Sequence, residues 1–128
     1  MLTTIATVIS WVIGGAIALL GTLDLAKPQA AAAGFGLPNG SAAGESATSQ
    51  AWMYTRAVRD IASGLFIFVL LANGEKHVLG WVMLAACLIP LGDAIVVHRN
   101  NGPSTSVYGV HGGSGVLMLA TSFALLAA

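Results

Sequence analysis

Ionisable side chains stand inside apolar stretches of this chain, where an isolated charge is costly. Arg56, Arg59 and Asp60 lie shortly before a run of apolar residues, and Asp93 and His111 are each enclosed by apolar or glycine-rich sequence. Charged groups at membrane depth are paired with one another or serve a functional site. These five side chains are therefore the first candidates for chemistry.

The carboxyl groups and the imidazole are the candidates for proton transfer. A carboxyl group in apolar surroundings can act as general acid or base, and histidine exchanges protons near neutral pH. We predict Asp93 and Asp60 as the proton-transfer groups and His111 as a relay. Tyr108 stands three residues before His111, on the same face of an α-helix, and is predicted to contact the substrate.

The two arginines are candidates for holding an anion or an oxygen atom of a substrate. Arg56 and Asp60 are four residues apart, a spacing that allows an ion pair within a helix. Trp52 and Ser63 fall on the same helix face, so we predict both as ligand contacts. Arg59 flanks this face and can turn toward the ligand or toward another helix.

A purely structural interpretation of the charged groups stays open. The formal charges of Arg56, Arg59, Asp60 and Asp93 cancel, so these side chains can form a neutral ionic lock between two helices. Such a lock does not call for the nearby tyrosine and histidine. The functional interpretation accounts for both.

The composition is typical of a chain that lies in a membrane. The 128 residues are 56% hydrophobic and 8% charged, with a mean hydropathy of +0.84, whereas soluble proteins are about 25% charged. The formal net charge is zero and no basic run occurs, so nucleic acid is not an expected partner. Cys87 is the only cysteine, and the sequence has no metal-binding spacing or cofactor motif, so we expect neither a metal nor a cofactor.

The hydrophobic pattern predicts an all-α fold, an integral membrane antiparallel four-helix bundle formed by residues 1–128 as a single domain. We predict helices at about residues 3–25, 51–72, 78–97 and 104–127, and a long loop over residues 26–50. Pro90 is expected to kink the third helix, because proline cannot complete the hydrogen-bond ladder. A secretory signal is the alternative for the first helix, although the sequence before it has no Lys or Arg.

Antiparallel threading places the polar residues in one half of the bilayer. At about 1.5 Å per residue, Asp93, Arg59, Asp60 and His111 lie roughly 8–15 Å from the nearest loop. The shallower polar residues are Asp24, Arg56 and His98. The opposite half has no ionisable side chain, so the sequence predicts a polar cup that is open to one side. A pore or an alternating-access carrier would need polar groups through the midplane.

Small residues predict close approaches of the backbone at two places. Ser10, Gly14, Ala18 and Gly21 recur at helical spacing in the first helix and allow another helix to pack closely against it. Residues 34–38, Gly-Phe-Gly-Leu-Pro, combine turn-forming and apolar residues. We predict that they form a turn dipping into the membrane interface.

Four blocks of sequence carry a family resemblance. They are residues 34–38 (GFGLP), 58–65 (VRDIASGL), 89–94 (IPLGDA) and 111–113 (HGG). With these blocks in this order, the chain resembles domain-of-unknown-function family 4267, small integral membrane proteins of bacteria and fungi. The resemblance implies a four-helix membrane fold, and it implies Arg59, Asp60, Asp93 and His111 as motif positions. The family often has Lys-Gly where this chain has Arg56-Ala57, which leaves the role of Arg56 open.

The residue types favour an enzyme that performs acid–base chemistry on a small lipophilic molecule within the membrane. Isomerisation, cyclisation and epoxide opening all suit this set of side chains. A binding or transport module that acts as a homodimer is the first alternative, and a structural membrane partner is the second. The expected partners are the lipophilic molecule and membrane lipids.

The distribution of basic residues predicts an orientation. Lys27 and Arg99 lie on the side of the polar cup, and Lys76 lies on the opposite side. The positive-inside rule then places the cup on the cytoplasmic face of the cell membrane.

Overall fold

A computed structural model describes residues 1–36 and 47–127 of the protein. The elements in these ranges are α1 (Leu2–Ala26), α2 (Pro28–Phe35), α3 (Ala47–Ala72), α4 (Lys76–Ala86), α5 (Leu88–Arg99), a π-helical segment (Thr105–Gly112) and α6 (Gly113–Leu126). Three helical runs are long and apolar enough to cross a membrane: α1, α4 with α5, and the π-helical segment with α6. The prediction of an all-α fold is confirmed, and the runs are consistent with a membrane protein.

The prediction of a loop over residues 26–50 is wrong for Pro28–Phe35, which form α2, and for residues 47–50, which belong to α3. Pro28 occupies the first turn, where its missing N–H breaks no hydrogen bond, and the alanines after it have high helix propensity. The helix ends at Gly36, whose φ of 90° is the left-handed conformation that favours glycine. Leu37 and Pro38, the rest of the predicted turn, lie outside the described residues.

The predicted third helix is interrupted and forms two helices. α4 ends at Ala86, and α5 begins at Leu88. Pro90 explains the interruption, because it has no N–H to donate and its ring clashes with the carbonyl group four residues earlier, at Ala86. The break therefore lies one turn before the proline that predicted a kink.

The predicted fourth helix begins as the π-helical segment, and α6 continues it. At the junction, the N–H of Gly113 donates to the carbonyl oxygen of Tyr108, five residues earlier. A side chain at Gly112 would place its Cβ 2.9 Å from the carbonyl oxygen of Val107, so glycine makes room for the wide turn. The wider winding changes which residues share a helix face.

Glycines bring α1 and α3 into close contact. A Cβ at Gly21 would lie 2.7 Å from the carbonyl oxygen of Ala57, and a Cβ at Gly64 would lie 2.6 Å from that of Gly14. Both distances are too short for any side chain. The small-residue stripe of the first helix therefore packs against another helix, as predicted, and α3 is that helix.

The second closely packed pair joins α4 to α6. Ser122 donates a hydrogen bond of 2.8 Å to the carbonyl oxygen of Gly80, and a Cβ at Gly80 would collide with Leu126. Leu79, Met83 and Leu125 are fully buried at this contact and in the core around it. α1 also packs on α6, and α3 packs on α4, which joins the two pairs into one body.

Candidate functional site

A cavity of about 300 Å³ lies between the α1–α3 pair and the helices α4, α5 and α6. Most of its wall is apolar, and a smaller set of polar side chains shares the lining. The polar lining residues are Arg56, Asp60, Ser63, Asp93, His111 and Ser114. The apolar lining residues are Val12, Ile13, Ala16, Ile17, Leu20, Ile67, Met83, Ala86, Ile89, Pro90, Val110, Leu117 and Met118. An apolar pocket with a few convergent polar groups is the usual form of a small-molecule site.

The structure brings most of the predicted site residues to this cavity. Asp93, Asp60 and His111, the predicted proton-transfer groups, all line it, together with Arg56 and Ser63. Helical spacing explains the contribution of α3, because residues 56, 60, 63 and 67 follow one face of that helix.

Three predicted substrate contacts do not line the cavity. Trp52 is exposed one turn before Arg56 on α3, and the side chain of Arg59 is 47% exposed. Tyr108 is also exposed, and its ring packs beside that of His98, at a centroid distance of 6.4 Å. The expectation that Tyr108 shares a face with His111 assumed α-helical winding, and the π-helical segment rotates the two side chains apart.

Arg56 is the centre of an ion-pair cluster. Its Nη1 lies 3.2 Å from Oδ2 of Asp24, and its Nε lies 3.6 Å from Oδ2 of Asp60. This Nε is buried and has no hydrogen-bond partner among the described residues, because 3.6 Å permits ion pairing without a hydrogen bond. Arg59 completes the cluster with its Nε 3.3 Å from Oδ1 of Asp60. The ionic contact between helices therefore joins α1 to α3.

The ion pair between Asp93 and an arginine that the alternative structural interpretation requires is not formed among the described residues. The ionisable groups near Asp93 are Arg59, His111, Arg56 and Asp60. Both arginines direct their ion pairs elsewhere, to Asp24 and Asp60. Asp93 therefore lines the cavity as a carboxyl group that no described cation neutralises by direct contact.

Phe35, at the end of α2, holds two of the polar side chains. The guanidinium carbon of Arg56 lies 4.4 Å from the centre of its ring, which is a cation–π contact. The ring of His111 packs against the same phenyl group at a centroid distance of 4.6 Å and an interplanar angle of 57°. The carbonyl oxygen of Phe35 lies 2.9 Å from Nε2 of His111. α2 thus covers the polar end of the site.

The contact with Phe35 also defines the tautomer of His111. A carbonyl oxygen only accepts hydrogen bonds, so Nε2 of the buried imidazole carries the proton. In the neutral ring, Nδ1 is then the nitrogen that can accept a proton. This arrangement suits the predicted role of a relay.

Sequence reasoning missed Phe35 as a site residue and placed Asp24 only at the mouth of the cup. The signal for Phe35 was an aromatic side chain between two glycines in a segment that was predicted to dip into the interface. The signal for Asp24 was its position late in the first helix, in the same half of the bilayer as Arg56. The described residues contain no group of three or more His, Cys, Asp or Glu side chains that could hold a metal ion.

These features define a class of small helical proteins whose helices suit a membrane and whose interior carries a polar site at one end of an apolar cavity. The chain belongs to the family described as Domain of unknown function (DUF4267), whose model matches residues 14–125. The match covers most of the chain and confirms the resemblance seen in the four sequence blocks. Comparisons with curated proteins and with solved structures gave no match.

Proposed function

We propose that the protein is a membrane-embedded enzyme that performs acid–base chemistry on a small lipophilic molecule. The observation that carries this proposal is that Asp93 has no ion-pair partner among the described residues. This carboxyl group lines a mostly apolar cavity, while the arginines of the site pair with Asp24 and Asp60. A structural ion lock explains those pairs, but it does not explain why the carboxyl group of Asp93 lies in the cavity.

In this proposal, Asp93 and His111 handle protons from two neighbouring elements of the cavity wall. Asp93 stands on α5, and His111 on the π-helical segment that packs against α5. Asp60, which is ion-paired with both arginines, is the third proton-transfer candidate. Protonation of a substrate oxygen by a carboxyl group, with removal of a proton elsewhere in the molecule, serves isomerisation, cyclisation and epoxide opening alike.

We further propose that α3 is a fourth membrane crossing, which makes the chain an antiparallel four-helix bundle. α3 is 26 residues long, and its second half is apolar. Its charged residues Arg56, Arg59 and Asp60 are ion-paired, which lowers the cost of placing them in a bilayer. With the polar end of the cavity on the side of Lys27 and Arg99, the positive-inside rule favours a cytoplasmic site. In this orientation, both termini lie on the side of the membrane opposite the site. Reporter fusions that show a cytoplasmic C-terminus would therefore contradict it.

Turnover of lipophilic probes tests the enzymatic proposal. The purified protein, in lipid nanodiscs, is incubated with a set of small lipophilic epoxides and enolisable ketones, and mass spectrometry detects products and solvent deuterium uptake. We expect conversion by the wild type and by Thr22→Ala, a control whose hydroxyl group bonds the carbonyl oxygen of Ala18 on its own helix and which does not line the cavity. We expect no conversion by Asp93→Asn, because an amide cannot exchange a proton in this way. Binding of the probes without any conversion would contradict the enzyme and favour the binding or transport module.

A further inference from the structure

Several cavity-lining residues are at the same time exposed on the outside of the protein. Val12 on α1 is 66% exposed, Val110 on the π-helical segment is 54% exposed, and Leu117 on α6 is 46% exposed. All three line the cavity, so they mark a place where the cavity reaches the surface. The opening lies on the flank of the helices, between α1 and the helical run that contains Val110 and Leu117. We call these three residues the rim.

Other lining residues form a wall that is shielded from the outside. Ile67 on α3 is 3% exposed, and Met118 on α6 is 5% exposed, although both line the same cavity. A molecule that touches their side chains must already be inside. The exposed rim therefore marks the entrance of the cavity, and the buried inner wall marks its interior.

The polar end of the cavity is covered. Phe35 packs on Arg56 at 4.4 Å and on His111 at 4.6 Å, and its carbonyl oxygen accepts a hydrogen bond from His111. α2, which carries Phe35, packs against both α1 and α3. Among the described residues, Phe35 therefore obstructs the route from the aqueous side past the charged residues, while the rim side chains on the flank are exposed.

We propose that the substrate reaches the cavity from the bilayer, through the opening between α1 and the run Val110–Leu117, and is therefore a molecule that dissolves in lipid. This inference rests on the proposed function and adds the route and the substrate class. The rim side chains are entirely apolar, so they interact favourably with hydrocarbon and provide no hydrogen bonds for a hydrated solute. A lipophile that passes the rim meets Asp93 and His111 inside the cavity.

A photoreactive lipid tests the route directly. The probe is a phosphatidylcholine whose acyl chain carries a diazirine near its end, incorporated in nanodiscs with the full-length protein. Its head group keeps it in the bilayer, so its chain can reach the inner wall only through the flank. After irradiation, mass spectrometry maps the adducts, and we expect adducts on Ile67 and Met118 in addition to those on lipid-facing residues.

Matched substitutions separate the rim from the rest of the lipid-facing surface. Val12→Trp and Val110→Trp place a bulky side chain in the opening and should each reduce inner-wall adducts about tenfold. Val8→Trp and Val116→Trp introduce the same side chain at exposed positions that do not line the cavity, and they should leave inner-wall adducts unchanged. Adducts on lipid-facing residues serve as the internal standard in every sample.

A second, untethered probe distinguishes failure of the route from failure of the proposed function. Adamantyl diazirine is a compact lipophile that can enter by any path. If it labels the inner wall while the lipid probe does not, the lateral route is overturned, and the cavity still binds lipophiles. If the lipid probe labels Ile67 and Met118 equally in wild type and rim variants, the route through this rim is overturned. If neither probe labels the inner wall, both the lipophile-binding site and the lateral route are overturned.

Discussion

The imidazole Nε2 of His111 donates a hydrogen bond across 2.9 Å to the main-chain carbonyl oxygen of Phe35, a residue 76 positions earlier in the chain. The bond ties α2 to the π-helical segment at the polar end of the cavity. The Phe35 side chain adds two further contacts from the same residue, one to Arg56 and one to the imidazole ring. A single residue thus positions a cation and a candidate proton relay.

We expect Phe35→Ala to destabilise the protein and to release His111. The substitution removes the cation–π contact and the ring packing, and it should lower the free energy of unfolding by about 1–3 kcal/mol, less than for a fully buried phenylalanine because Phe35 is only half-buried. Nitrogen-15 NMR of labelled histidine should show the Nε2–H tautomer of His111 in the wild type and a tautomer mixture in the variant.

Phe35→Leu is the matched control for this prediction. Both substitutions keep the main-chain carbonyl group, but only leucine keeps most of the apolar volume that packs the imidazole beside it. The tautomer of His111 should therefore stay as in the wild type in Phe35→Leu, although the aromatic contacts are lost. A mixed tautomer already present in the wild type would show that the carbonyl contact does not hold the ring.

We expect a double-mutant cycle to assign the interhelical ion pair to Asp24 and Arg56. Their side chains are 13% and 25% exposed, so the pair is partly shielded from water. The coupling free energy from Asp24→Asn, Arg56→Gln and the double variant should be about 1–3 kcal/mol, measured by unfolding in detergent. Arg59→Gln should cost less than about 1 kcal/mol, since the side chain of Arg59 is 47% exposed. Equal costs for Arg56 and Arg59 would contradict the ion-pair network.

We expect Asp93→Asn to leave stability nearly unchanged. No described cation pairs with Asp93, and asparagine is close in shape to the protonated acid, so the free energy of unfolding should change by less than about 1 kcal/mol. A locked carboxylate would instead cost about 3–5 kcal/mol, because its loss leaves a buried cation unpaired.

Arg59→Gln is the second single variant in the test of Asp93. A large loss of stability in both single variants that is recovered in the double variant would sink the acid–base proposal and make Asp93 half of a structural pair. Thermal unfolding of the four proteins in one detergent gives the comparison.

We expect glycine substitutions to separate close helix contacts from open helix surface. Gly21→Ala would place a methyl group 2.7 Å from the carbonyl oxygen of Ala57, and it should destabilise the protein by about 1–3 kcal/mol. Gly15→Ala is the control on the same helix, because its Cβ would meet only the tip of Phe68, at 3.9 Å. Gly15→Ala should be neutral or slightly stabilising, since alanine favours the helix. A neutral Gly21→Ala would contradict the close packing of α1 on α3.

The sequence was sufficient to predict most of the site where the side chains follow α-helical periodicity. Arg56, Asp60 and Ser63 line the cavity from α3 because a spacing of three or four residues returns to the same face. Asp93 was predicted from its apolar surroundings and its place near the end of a helix. These inferences needed only local geometry and the cost of charge in an apolar medium.

The sequence was not sufficient where the chain departs from that periodicity or where the contact is distant. Tyr108 was assigned to the site on α-helical spacing, but the π-helical segment turns it outward. The partners of Arg56 required the packing of α1 against α3, which brings Asp24 within 3.2 Å. Phe35 holds His111 through a main-chain oxygen. Because every residue has this oxygen, the residue types alone could not predict the contact.

The π-helical segment acts as a spacer that sets the direction of His111 relative to α6. The hydrogen bond of this segment reaches back five residues where an α-helix reaches back four, so deletion of one residue that restored α-helical winding would move the side chains within the segment onto different faces. His111 would then change its direction relative to Phe35 even though its own identity was preserved. The length of this segment, as much as its sequence, is therefore part of the site, and the chain should tolerate substitutions at its exposed positions far better than the loss or gain of one residue.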